Sequence, residues 1–500
     1  MEIVKKDIIQ EYASWSNLDV LENANRYPGP TGFFAYVMEE ALKESILLIP
    51  KGGREAHFSG DIYIHKLPYS LYIPYCTGHS TARLLEKGLK TPTIASRPAR
   101  HFDTYVDHIA NYLITMQHHF SGAQALSSVE WYAGPFIRKD GLDRRKIRQQ
   151  IQRLVYNLNY PSRVGMQTPF TNFTVTLDTP KKMLEGDHAV YDGKKLEPLG
   201  EYEREAKEFF IALTTVNLPR LALKARGDDD RFWEEYERIL ETVKMTTDWF
   251  RERYVRLITN YRQMYQMIHL YLEEFPSSHF NTIGILGLPE AAVIYLNEPE
   301  LWTEGSRRGW LKAAEVMKEM VEFATAKARE WMRKTGTPWN VEEVPGESAA
   351  AKLAIRDLRE FPELKEYLSD PENSIYSTSV APYYGSLELA DRIRIEEKVQ
   401  RSFTGGVMMH IFLGEEPDPE ALAKLTKRLM KTDLVYWSYT PAVTVCNDCK
   451  FSTTGLHTHC PRCGSENVEI WSRIIGYYRP LRNWNPFRKK EFWMRRHYSS

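Results

Sequence analysis

Two C-x-x-C knuckles near the C-terminal end constrain this chain more than any other feature. They read Cys446-Asn-Asp-Cys449 and Cys460-Pro-Arg-Cys463-Gly464, with ten residues between the pairs. A C-x-x-C turn brings two thiolates to one ion while backbone N–H groups bond the sulfurs. Two such turns complete a tetrahedral S4 shell that suits Zn2+. Two disulfides or an iron–sulfur site are the alternatives. Met1 to Tyr12 is charged throughout and does not read as a signal peptide, and disulfides fit poorly with a chain of that kind. Four thiolates leave no open coordination position, so the metal is expected to hold structure rather than do chemistry. His457 and His459 lie close by and read as surface residues. The spacing predicts a small zinc ribbon over 440–470.

The fifth cysteine is Cys76, in Tyr72-Ile-Pro-Tyr-Cys76-Thr-Gly-His-Ser80. Among Tyr and Ile it reads either as a small buried hydrophobe or as a reactive thiol. Its surroundings belong to an ordinary globular protein of 500 residues, 43% hydrophobic and 26% charged. Lys+Arg and Asp+Glu are 66 each, which speaks against a wholly basic nucleic-acid coat and against an acidic tail. No run approaches the roughly 18 apolar residues of a membrane helix, so the expected location is cytoplasmic. Ile62 and Ile64 alternate with Tyr63 and His65, a short strand pattern over Gly60–Lys66. Ile109, Leu113 and Met116 recur at helical spacing, as do Ile147, Ile151, Leu154 and Leu158. Phe232 to Phe250 marks a long helix continuing towards Tyr271, and Trp310 to Trp331 another. Gly336–Ser348, with Pro338 and Pro345, reads as a loop. Long helices alternating with short strands favour α/β. Neither G-x-G-x-x-G after a strand nor G-x-x-x-x-G-K-[ST] occurs, so the common nucleotide cradles are missing.

The tail reads Ser472-Arg-Ile-Ile-Gly476-Tyr-Tyr-Arg-Pro-Leu-Arg-Asn-Trp-Asn485. It resembles the glycyl radical signature, in the version found in anaerobic (class III) ribonucleoside-triphosphate reductases, where a zinc ribbon also lies just upstream. Further segments resemble the same family in order: Glu22-Asn-Ala-Asn25, Gly60-Asp-Ile-Tyr-Ile-His65, Tyr75-Cys-Thr-Gly78, Gly122-Ala-Gln-Ala-Leu-Ser-Ser128 and Asn159-Tyr-Pro-Ser-Arg163 through Asn172. Asn217-Leu-Pro-Arg220, Asn281-Thr-Ile-Gly284, Gly287-Leu-Pro-Glu290 and Phe403-Thr-Gly-Gly406 complete the series. The resemblance implies a ten-stranded α/β barrel with long helices over 1–439, the ribbon at 440–470, and a glycyl radical loop with a basic-aromatic tail at 471–500. It implies a relay in which a separate radical S-adenosylmethionine enzyme, carrying an iron–sulfur cluster, takes hydrogen from Gly476. The radical then passes to a barrel thiol, and that thiyl removes the 3′-hydrogen of a ribonucleoside triphosphate. A glycine suits radical storage because, lacking Cβ, its Cα flattens without a side-chain clash. On this reading Gly476 and Cys76 are catalytic. Ser377, Thr378 and Ser379 resemble the phosphate-binding turn, though an ordinary Ser/Thr turn is the other reading. His65 and Asn25 line the substrate site, His65 alternatively being a satisfied core histidine. A homodimer is expected, with no membrane association.

Two departures accompany the match. Glu22-Asn-Ala-Asn25 already lies near the start, so the family's N-terminal ATP-binding regulatory domain is expected to be missing. The family places its thiyl cysteine on a finger loop before Asn-Leu-Pro-Arg; here Phe173 to Leu213 is short and holds no cysteine. Either Cys76 accepts the radical, or a knuckle cysteine is borrowed, or the chain is a divergent or inactive relative. One barrel thiol cannot close a disulfide, so formate is the compatible reductant. The competing class is a zinc-ribbon nucleic-acid-binding protein, because Arg479, Arg482, Arg488, Lys489, Lys490, Arg495 and Arg496 interleave with Trp484, Phe487, Phe492, Trp493 and Tyr498. The neutral net charge and the match before residue 440 speak against it, so no nucleic-acid partner is expected. The tail reads otherwise as a solvated basic end packing its aromatics on the barrel.

Overall fold

A computed structural model describes residues 9, 12, 29–163, 168–173, 181–202, 216–272, 275, 277, 279–346, 349–370, 372–385, 387–476 and 478–498. Short parallel strands covered by helices form its frame. Strands β1 (Thr77–Ser80), β2 (Gln124–Ser127) and β3 (Thr171–Phe173) pair in parallel in that order. An antiparallel hairpin follows, β4 (His188–Tyr191) with β5 (Lys194–Pro198). A second parallel trio consists of β6 (Val216–Asn217), β7 (Asn281–Leu286) and β8 (Trp339–Glu343). Next come a parallel pair, β9 (Met409–Leu413) with β10 (Trp437–Pro441), and an antiparallel sheet. That last sheet comprises β11 (Val443–Cys446), β12 (Ser452–Thr454), β13 (Val468–Arg473) and β14 (Tyr478–Pro480), in the order β12-β11-β13-β14.

The α/β expectation holds. The ladders among the described residues form five separate sheets rather than one continuous ten-stranded ring.

Strands β8 and β9 are buried at every residue, as parallel strands sandwiched by helices are. One core packs the helices Phe102–Met116 and Val129–Lys139 with β2 through Ile109, Leu113, Phe136 and Leu126. A second joins β7 and β8 to helices Asp229–Asn260 and Arg307–Thr335 through Phe232, Tyr236, Ile283, Val341 and Met317. The helix at 229 starts where the Asp228 carboxylate accepts from the Arg231 N–H at 3.0 Å. It stops at Asn260 instead of running on to Tyr271, because residues 259–264 are all exposed and bury nothing. A separate helix, Gln266–Tyr271, follows.

Two further sequence expectations fail for identifiable reasons. Gly60–Lys66 is a turn, not a strand. Gly60, at φ 91°, ends the helix Lys51–Ser59, and Ile62 N–H still reaches back to Ala56 O at 3.2 Å. The stretch Gly336–Ser348 is a core strand in its middle. Pro338 and Pro345 flank β8, whose Asn340, Glu342 and Glu343 are buried although their residue types read as loop.

The turn at 60 feeds a buried ionic hub. Arg220 bonds Asp61 Oδ1 at 3.0 Å through Nε, Asp357 Oδ1 at 2.7 Å through Nη1, and Glu360 Oε2 at 2.6 Å through Nη2. Asn217 donates to Asp357 Oδ2 at 2.9 Å and to Gly60 O at 3.0 Å, and Tyr376 OH donates to Asp357 Oδ2 at 2.7 Å. Two of the sequence motifs, Gly60-Asp61 and Asn217-Leu-Pro-Arg220, thus bond each other directly, and the second is also held by the fully buried Asp357 carboxylate. Removing a single partner from a buried pair strands the other charge at a cost of about 3–5 kcal/mol. Asp357→Ala is therefore expected to lower the urea midpoint by a stability loss of that size, against near-wild-type behaviour for a truncation of exposed Glu360. An unchanged midpoint contradicts this.

Candidate functional site

The four knuckle sulfurs lie within 4.8 Å of one another. Cys446 and Cys463 sulfurs are 3.7 Å apart, and those of Cys449 and Cys460 are 3.6 Å apart. Both separations far exceed an S–S bond of about 2.05 Å, so neither pair is a disulfide. They match the edge of about 3.8 Å expected for a tetrahedron with metal–sulfur bonds of about 2.3 Å. The Cys449 backbone N–H points at the Cys446 sulfur at 3.5 Å, the knuckle contact that favours a thiolate there. The donor set fits a zinc ion. His459 faces Glu466 at 3.2 Å instead of the sulfurs.

The cluster shares its sheet with Gly476. Cys446 of β11 pairs with Val468 of β13. Strand β13 continues to Arg473, which pairs with Tyr478 of β14, and Gly476 sits in the turn between them. Ile474 and Ile475 are buried while Gly476 is exposed. The Gly476 carbonyl accepts from Arg473 Nη2 at 3.3 Å, and Arg473 Nη1 donates to Ser438 Oγ of β10 at 2.9 Å. Tyr478 OH donates to Pro441 O at 3.3 Å, so the hairpin rests on the end of β10.

Cys76 occupies a different neighbourhood, at the entry to β1. The Ala123 N–H donates to its sulfur at 3.1 Å, just ahead of β2. A Cβ on Gly122 would lie 2.5 Å from that sulfur and 2.8 Å from Tyr75 O, so only glycine lets the two segments close on the thiol. Burial pushes the Cys76 thiol up to about 12, the Glu342 carboxylate adding to the effect and the Ala123 N–H and Arg163 opposing it. The group stays an S–H at neutral pH, suited to hydrogen-atom transfer and poor as a nucleophile. Glu342 in turn accepts from Asn340 Nδ2 at 2.7 Å. Gly405 presses on both, a Cβ there lying 2.7 Å from Asn340 Nδ2.

The remaining expected substrate residues divide. Ser377 is committed to Glu290, donating from Oγ at 2.6 Å and from its N–H at 3.1 Å to Oε2. Burial lifts the Glu290 carboxyl to about 7 against those Ser377 bonds. Ser379 Oγ donates to Ala381 O at 2.5 Å. Thr378 Oγ1 is buried without a hydrogen-bond partner among the described residues, so within this turn only Thr378 offers an uncommitted hydroxyl. His65 is half-buried between Tyr63 and Tyr75, with ring centroids 4.9 and 5.5 Å away. Asn25 lies outside the described residues.

Sequence reasoning gave no role to the buried acids Glu290, Glu342 and Glu343, and took the tail's cations as solvated. Arg488, Arg495, Trp484 and Phe492 are buried. Cations and rings packed inside cannot stack on bases, which removes the main support for the nucleic-acid reading. Phe492 and Trp484 at helical and turn spacing were the available signal.

A family model described as anaerobic ribonucleoside-triphosphate reductase matches residues 22–214 and 210–498. The two stretches meet at 210–214, within the short cysteine-free segment before Asn217. The anaerobic ribonucleoside-triphosphate reductase of Salmonella typhimurium is 19% identical, over 86% of this chain and 76% of its own. That of Haemophilus influenzae is 20% identical, over 92% and 81%. Among solved structures, an anaerobic ribonucleotide reductase matches with a TM-score of 0.79 at 22% identity, covering 99% of this chain and 94% of its own. The Thermotoga maritima anaerobic ribonucleotide reductase in complex with dATP and CTP gives a TM-score of 0.74 at 21% identity, over 97% and 98%.

Proposed function

The chain belongs to the anaerobic ribonucleoside-triphosphate reductase family, and from that premise we propose that it is a glycyl radical oxidoreductase using Gly476 as radical store and Cys76 as its one working thiol. The observation that carries this reading is the single sheet that joins the four-cysteine cluster to the Gly476 hairpin. The division of labour follows: residues 1–439 form the catalytic unit, 440–470 the ribbon and 471–500 the radical loop with its anchoring tail. The parallel strands β1–β3, β6–β8 and β9–β10 are segments of the family's ten-stranded barrel.

A separate radical S-adenosylmethionine enzyme removes one hydrogen atom from the Gly476 Cα. The exposure of Gly476 supports access by such a partner. On this reading the Cys76 S–H is the hydrogen-atom donor to that carbon, a transfer that requires the two separate neighbourhoods to meet in the working enzyme, and the resulting thiyl takes the 3′-hydrogen of a ribonucleoside triphosphate. Loss of water from C2′ needs two electrons to complete reduction. Apart from the ligand set, Cys76 is the only cysteine in the chain, so a protein disulfide cannot supply them. Formate does, leaving as carbon dioxide: ribonucleotide, formate and a proton become deoxyribonucleotide, carbon dioxide and water. The Thr378 hydroxyl and neighbouring backbone suit a phosphate oxygen, and His65 borders the same side as Tyr75 and Cys76. Two copies of the chain form the working dimer. Among the described residues no helix is long and apolar enough to cross a membrane.

The chain's four ligand cysteines hold the zinc, which supplies a rigid cross-link and no reacting group. The direct test of function is anaerobic activation by the cognate activase, spin resonance for a glycyl doublet, and a deoxynucleotide assay with formate present and omitted. Absence of both doublet and product overturns the proposal. Chelation provides a second test. With the metal stripped, β11 and β13 lose their tie, so amides of 443–480 are expected to exchange before those of β7 and β8. Uniform exchange across all these strands contradicts a ribbon-specific role.

A further inference from the structure

We propose that Arg495 is a positioning residue that locks the radical-bearing hairpin onto the catalytic unit. The inference rests on the reading of Gly476 as radical store. Its side chain is 1% exposed. Nη1 donates to Arg473 O at 2.8 Å and Nη2 to Ile474 O at 2.6 Å, the two consecutive carbonyls that lead into the glycine turn. Nε and Nη2 also donate to Glu491 Oε1, at 2.9 and 2.6 Å. Four rings surround the guanidinium carbon: Phe412 at 4.7 Å, Trp484 at 5.1 Å, Tyr383 at 5.5 Å and Phe492 at 5.9 Å. Phe412 belongs to β9 and Tyr383 to the loop after the Ser377–Ser379 turn. The cation therefore joins the hairpin, the C-terminal helix Pro486–Met494 and the catalytic unit at one point.

Burying a guanidinium is costly unless its donors are satisfied. Glu491 is shared with Arg488, whose side chain is also buried, so one carboxylate faces two cations. The remaining positive charge is directed at the two hairpin carbonyls. Anchoring the tail does not require this arrangement. Asn373 Nδ2 already donates to Phe487 O at 3.1 Å, and Tyr498 N–H to Phe412 O at 2.8 Å, with Gly414 N–H returning to Tyr498 O at 3.1 Å. The β13–β14 ladder is three residues long and stops at Arg473↔Tyr478. Beyond it, among the described residues, the side chains of Arg473 and Arg495 bond the carbonyls of Arg473, Ile474 and Gly476. A planar fork meets two adjacent carbonyls at once, a geometry that lysine cannot reproduce.

The test uses the full, metal-loaded chain carrying Arg495→Met or Arg495→Lys. Amide exchange over 474–478 is read without activation, and doublet amplitude, kcat and KM after activation. In Arg495→Met the hairpin amides are expected to exchange at least about tenfold faster, with zinc content unchanged. The kcat is expected to fall by about 100-fold, as for a misplaced reacting group, with KM within about twofold. Arg495→Lys should fall between. If Arg495→Met does not fold, the exchange measured in Arg495→Lys decides. Hairpin exchange equal to wild type, or a raised KM with kcat intact, overturns the proposal. A wild-type protein that gives no doublet counts against the radical reading itself, while the exchange data still judge the clamp.

Discussion

Gly476→Ala leaves the anaerobically activated protein without a glycyl doublet and without deoxynucleotide product, while its zinc content and unfolding transition stay those of wild type. The chemical part of this expectation concerns the carbon. An unpaired electron on a backbone Cα is stabilised by donation from its own amide nitrogen and withdrawal by its carbonyl, which requires the centre to flatten. A Cβ crowds that flattening, and glycine alone is free of it. The local structure adds to the withdrawal, because Arg473 Nη2 donates to the Gly476 carbonyl at 3.3 Å and is itself fixed by Ser438. The folding part concerns exposure. Ile474 and Ile475 supply the buried contacts of the turn, and Gly476 faces solvent. A surface substitution of this type costs within about 0.5 kcal/mol. The two parts separate cleanly in one experiment: spin resonance and product assay report the first, thermal unfolding and metal analysis the second. A doublet that survives in Gly476→Ala places the radical elsewhere.

How much of this was legible beforehand depends on the kind of constraint. The cysteine knuckles were, because metal ligation fixes residue type and spacing together, and the four sulfurs gather within 4.8 Å, two of their separations matching a tetrahedral edge. The long helices were, because their apolar faces repeat: Phe232, Tyr236, Ile239 and Val243 all point inward. Strand β8 was not. Its Asn340, Glu342 and Glu343 carry the wrong polarity for a core strand, and only the surrounding chain makes their burial possible, with Asn340 donating to Glu342 and the Met408 N–H donating to Glu343 at 2.9 Å. The buried cations of the tail were not legible either, although Trp484 and Phe492 pack inward as one of the two readings had it. A run of arginines among aromatics reads as a solvated or nucleic-acid-binding surface, but Arg488 and Arg495 are neutralised by Glu491 and by carbonyls contributed from distant segments. The Glu491 pairs lie at local helix spacing, but the carbonyl partners come from far along the chain and leave no local periodicity. The same holds for the hub, where Asp61 and Asp357 meet Arg220 across 159 and 137 residues of sequence.

Cys76→Ser is expected to separate storage from use. The activated variant keeps a full glycyl doublet, since nothing in the Gly476 turn changes, yet makes no deoxynucleotide. Serine is close in shape, so Ala123 N–H still finds an acceptor and Gly122 still has room. What changes is the bond to hydrogen: an alkoxyl O–H is far stronger than a thiol S–H, and a backbone Cα radical cannot draw hydrogen from it. The local electrostatics agree with a hydrogen-atom donor. Burial, reinforced by Glu342, pushes the thiol up to about 12, so the thiolate becomes significant only as pH approaches that value. The pH profile of kcat between about 6 and 9 should therefore show no limb assignable to Cys76, whereas an activated nucleophilic cysteine would gain rate as pH rose through its own lowered value. Product formation at wild-type rate in Cys76→Ser would transfer the role to Cys446, Cys449, Cys460 or Cys463, the other cysteines of the chain. Because that transfer would cost the cluster a ligand, it would also appear as zinc released in step with turnover. A silent variant with its doublet intact and its zinc retained assigns the working thiol to Cys76.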